Sequence, residues 1–151
     1  MTKVSDIYDA LNTLISGTLT TYSKLPDPYN VEDNTELFLK KGYGIAFGDD
    51  TNTNRKVGCQ KITINQQFEI PLMNLVTATD SNATGHASLE KLLLEDKFKI
   101  IKALENDNDL SGSAMQARYI GGSAITYLEG DRGKYLLTGL FITIEYLEVT
   151  T

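Results

Sequence analysis

The run Lys61-Ile62-Thr63-Ile64-Asn65-Gln66-Gln67-Phe68-Glu69-Ile70-Pro71-Leu72 decides the fold. Ile62, Ile64, Phe68, Ile70 and Leu72 all fall on even positions, and Lys61, Thr63, Asn65, Gln67 and Glu69 on odd ones. Successive side chains of a strand point to opposite faces. A period of two therefore predicts a strand with one buried and one wet face, from about Gln60 to Thr77. Such a strand is longer than the usual run of about 5–6 residues, so it either bends or projects beyond the body. Pro71 has no N–H to give to a ladder, which predicts an edge position or a bulge at that point.

Upstream, the alternation Tyr43/Ile45/Phe47 predicts a strand within Leu37–Phe47, with Gly42, Gly44 and Gly48 relieving twist or close approach. Asp49 to Lys56 then reads as a polar loop. Pro26 and Pro28 exclude helix between them, and the acidic residues 30–36 read as loop. Ile7, Leu11, Leu14, Ile15 and Leu19 recur at helical spacing and predict an amphipathic helix over residues 4–19, its first turn capped by Ser5 or Asp6.

Downstream, Thr79 to Gly85 reads as a polar linker. A second helix is predicted over 87–105, with Leu89, Leu93, Leu94, Phe98, Ile101 and Leu104 on one face. The last third reads as a hairpin with arms 116–128 and 134–149 joined at Glu129-Gly130-Asp131-Arg132-Gly133; Leu136, Leu140, Ile142, Ile144 and Tyr146 share a face of its second arm. The order helix, strands, helix, strands predicts an α+β fold, a mainly antiparallel β-sheet with two amphipathic helices packed on it.

A length of 151 residues suits one domain, residues 1–151, large enough to bury a real core. The net charge of −6 argues against an ordinary grip on a phosphate backbone, and the longest basic run is only Lys40-Lys41. The one cysteine, Cys59, excludes an intramolecular disulfide and fits a reducing compartment. The opening residues lack the apolar region of a signal peptide, and no stretch reaches the roughly 18 apolar residues that span a membrane. A soluble, cytoplasm-compatible chain is expected.

Each constellation that carries chemistry also has a plainer reading. His86 is the single histidine and falls in the polar linker, with nothing in sequence to orient it against a nucleophile, so it reads as a solvated loop residue. Cys59 begins a strand and reads as a small buried hydrophobe. Asp107-Asn108-Asp109-Leu110-Ser111-Gly112 copies the opening of an EF-hand loop. The twelfth position, however, holds Arg118 where a bidentate Glu belongs, so this is a helix end and turn. Gly42-Tyr43-Gly44 with Gly48 misses the dinucleotide fingerprint by one residue and leads into no helix. The carboxylate pairs Glu32-Asp33, Asp49-Asp50 and Glu95-Asp96 are sequence neighbours, which point apart on a helix or strand. No enzyme, cofactor or metal is expected.

Three stretches carry a family resemblance. They are Val4-Ser5-Asp6-Ile7-Tyr8-Asp9-Ala10-Leu11; Lys41-Gly42-Tyr43-Gly44-Ile45-Ala46-Phe47-Gly48 with Asn52-Thr53-Asn54-Arg55; and Gly130-Asp131-Arg132-Gly133-Lys134-Tyr135 leading to Ile144-Glu145-Tyr146. In order and length the chain resembles the tail terminator, or tail completion, proteins of long-tailed bacteriophages. The resemblance implies a homo-oligomeric ring, usually a hexamer, on the head-proximal end of the tail tube. It would stop tube polymerisation and join the tail to the head–tail connector, with genomic DNA passing through the lumen. It implies a virion location, host cytoplasm during assembly, and no catalysis. A head–tail adaptor or tail-tube-like subunit, and a small enzyme or ligand-binding domain, are the alternatives. The mixed-charge residues Asp49, Asp50, Asn52, Asn54, Arg55 and Lys56, with Asp131 and Arg132, are the candidate subunit contacts; ordinary surface loops are the other reading of both segments.

Overall fold

The computed structural model of the chain describes residues 3–29, 40–55, 61–76, 83–130 and 133–149. Two helices, α1 (Val4–Thr18) and α2 (Ala83–Asn106), accompany seven strands: β1 (Ser23–Lys24), β2 (Lys41–Tyr43), β3 (Ala46–Arg55), β4 (Lys61–Val76), β5 (Gln116–Gly122), β6 (Thr126–Gly130) and β7 (Gly133–Val149). The fold is α+β with a mostly antiparallel sheet.

The alternating run becomes β4, and β4 is the axis of the sheet. β7 pairs with it along its whole length, from Lys61↔Val149 to Val76↔Lys134. On its other side β4 carries β2 at one end and β3 at the other; β7 likewise carries β6 and β5 end to end. The strand therefore neither sits at an edge nor runs out beyond its partners.

Pro71 lies in the middle of this ladder, in register with Gly139, and not at an edge or bulge. Its carbonyl accepts the Gly44 N–H at 3.0 Å, so the backbone groups of residue 71 face the β2/β3 side. The chain leaves the sheet there, between Tyr43 and Ala46, and the missing N–H costs no ladder bond. Gly44 is needed at this jog: a Cβ would stand 2.8 Å from Pro28 Cβ and 3.0 Å from Pro71 Cγ. The same jog divides the predicted strand 37–47 into β2 and the start of β3; residues 37–39 lie outside the described residues.

One face of the sheet takes both helices. Phe68, Ile70 and Leu72 of β4, with Leu136, Leu140, Ile142, Ile144 and Tyr146 of β7, pack against Ile7, Leu11 and Ile15 of α1 and Leu93, Ile100 and Leu104 of α2. Fully burying each such aliphatic side chain contributes about 1.5–3 kcal/mol, so this layer dominates stability. A smaller cluster of Leu25, Met73 and Tyr135 forms around the odd positions at the β2/β6 end.

Local chemistry sets several boundaries away from where the sequence put them. Asp6 supports α1 by accepting the Lys3 N–H at 2.9 Å, working from inside the first turn; Ser5 is not the cap. Asp49 to Arg55 is not loop but the body of β3, which holds its ladder with β4 despite shifts between Phe47/Asp50 and Asn52/Asn54. Its polarity is that of a strand with one open edge. Helix α2 starts at Ala83, a turn earlier than predicted, so His86 is helical and half-buried rather than in a solvated linker. The first hairpin arm is interrupted at Ser123-Ala124-Ile125, which separates β5 from β6. The β6–β7 ladder closes at Gly130↔Gly133. Cys59 lies outside the described residues.

Candidate interaction surfaces

At the Arg55 end, the sheet has the lateral order β3-β4-β7-β5. β3 and β5 are thus its two margins. Among the described residues neither pairs with a further strand. Asp49 and Asp50 are exposed on β3, Asp50 opposite Gln66. Asn52, Asn54 and Arg55 follow on the same strand, opposite Ile64, Thr63 and Ile62. Lys56, Asp131 and Arg132 lie outside the described residues. The segment Asp49–Arg55 and the Gly130↔Gly133 closure sit toward opposite ends of the β4/β7 ladder. Arg55 is level with Ile62 and Lys134 with Val76, a separation of roughly 45 Å at the strand rise. The two candidate segments therefore do not form one patch.

The β3 margin is aromatic and of mixed charge. Phe47 is 41% exposed and stacks on Tyr8 of α1 with ring centroids 5.5 Å apart. The Tyr29 hydroxyl, on a ring 66% exposed, accepts the Phe47 N–H at 3.1 Å. Lys24 sits 4.5 Å over the Tyr8 ring. The β5 margin is apolar and of mixed charge. Tyr119, and Ile120 at the bulge between Tyr119 and Gly121, are exposed, as are Met115 and Arg118. Beside β5 runs a stripe of α2 with Leu94 and Phe98 exposed, Phe98 by 53%. Farther along that stripe, Ile101 and Glu105 line the crease against Arg118 and Tyr119.

The sequence assigned Leu94 and Phe98 to the buried face of α2. The buried face instead runs through Leu89, Leu93, Asp96, Lys97, Ile100, Ile101 and Leu104. Two charged residues in its middle displaced the apolar reading by part of a turn. The signal was present: Leu94 and Phe98 make their own i, i+4 line beside Leu93, Ile101 and Leu104.

Those two charged residues are held by local partners. Asp96 accepts the Tyr22 hydroxyl at 2.7 Å and Lys99 at 3.2 Å, with Lys41 at 3.9 Å. Burial, then the Asp96 hydrogen bond and charge, push the Tyr22 hydroxyl far above its ordinary pKa. The buried Asn74 amide lies close enough to hold that shift back, yet neither of its polar atoms reaches hydrogen-bond geometry. Lys97 donates at 3.3 Å to the Ser123 carbonyl and at 3.4 Å to Thr138 Oγ1. Burial lowers its pKa. Both groups tie α2 to the sheet side of the molecule.

Chemistry elsewhere is equally local. His86 packs its ring 5.4 Å from Tyr127, whose hydroxyl donates to Glu90 at 2.6 Å. Asp107 accepts the Ser111 N–H at 2.9 Å, closing a turn in which Leu110, Ser111 and Gly112 all have positive φ. That carboxylate is spent on the turn the sequence anticipated there. Among the described residues no three His, Cys, Asp or Glu side chains group as metal ligands. A groove of about 510 Å³ lies between α1 and α2 and is lined by small residues such as Ala10, Gly17 and Ala103. No protein-family model matches the chain, and no curated protein matches it.

Proposed function

We propose that this chain is a structural virion subunit, the tail terminator of a long-tailed phage. Copies would form a ring on the head-proximal end of the tail tube, stop tube growth and present a face to the head–tail connector. The observation that carries the reading is the pair of margins, β3 and β5, on opposite sides of one sheet, each bordered by exposed apolar rings or chains. A ring needs a heterologous contact, in which two different surfaces of the subunit meet and repeat by rotation. Opposite margins provide two such surfaces. The chain's excess of acidic groups suits a lumen through which DNA slides without sticking.

Negative-stain microscopy of the purified protein, alone and mixed with tail tubes, tests this. Rings that cap tube ends are expected. Long tubes of this protein, or its binding to portal particles, would move it to a tube or adaptor role. A protein that stays monomeric at every concentration would overturn the reading.

A further inference from the structure

We draw no further inference here: the strongest candidate, the buried side-chain cluster of Tyr22, Lys41, Asn74 and Asp96 between α2 and the β2/β4 pair, carries nothing because Asp96 is already held by Tyr22, Lys41 and Lys99 and the Asn74 amide atoms, though without a partner among the described residues, are sealed from any water-sized ligand.

Discussion

The Lys97 ammonium is admitted to the core by a glycine. A Cβ on Gly122 would collide with the Lys97 Nζ and Cε and stand 2.9 Å from the Gly139 carbonyl. Gly122→Ala should therefore cost about 1–3 kcal/mol through overpacking. In a Lys97→Ala background the Gly122→Ala penalty should shrink but not vanish, since the obstructing side chain is gone while the Gly139 carbonyl still presses on the new methyl. Chemical denaturation of the single and double variants measures this; an unaltered Gly122→Ala would mean that Lys97 moves aside freely. Tyr146 makes a second case at this scale. Burial, then the charge and hydrogen bond of Glu148, push its hydroxyl from 10.0 up to about 12. The folded state holds this proton more tightly than the unfolded chain does. Its stabilising contribution is thus complete below pH 10 and is lost as pH rises toward 12. Between those values the parent should lose stability faster than Tyr146→Phe; parallel losses would show that the hydroxyl titrates normally.

At the scale of elements, legibility followed solvent contrast. β4 and β7 each have one dry and one wetter face, so their period of two was visible in Ile62–Leu72 and Leu136–Tyr146, and α1 was visible in Ile7, Leu11 and Ile15. β3 was not, because it is exposed from Phe47 to Thr51 and its Asp and Asn residues write a loop's composition. Its conformation comes from the ladder with β4, a tertiary cause absent from local sequence. Pro71 misled for a similar reason: the rule against proline in a central strand assumes a partner on both sides, and at this residue the β4 partner gives way to the β2/β3 jog. The jog makes its own prediction. Gly44→Ala should be destabilising by about 1–3 kcal/mol, since Pro28 and Pro71 press on the Cβ position from two sides and neither ring can yield far. The candidate contact residues were half-legible. Asp49 and Asp50 are legible from charge, whereas the exposure of Leu94 and Phe98 is not, because a stripe beside the buried face has the same spacing as the face itself.

For the molecule as a whole, margins and ends separate two kinds of contact. β3 and β5 border the sheet sideways, whereas the Arg55 end and the β6–β7 closure lie along the strands. In the proposed ring, lateral neighbours would use the first pair, and the ends would be left for whatever stacks above and below. Assembly of this kind is linked to folding by mass action: a joint made only by native chains stabilises the native state, and more so as concentration rises. The thermal midpoint of the wild-type protein should therefore climb over a hundredfold concentration range. Above the dissociation constant, a tenfold rise in concentration is worth about 1.4 kcal/mol per subunit, and for a domain of this size each kcal/mol moves the midpoint by roughly 2–4 °C. The Phe98→Glu protein should show a midpoint independent of concentration and equal to that of dilute wild type. If both proteins climb together, the stabilising joint does not involve Phe98. If neither climbs while rings are visible, subunit association adds nothing to native-state stability, and the link between the apolar flank and assembly fails.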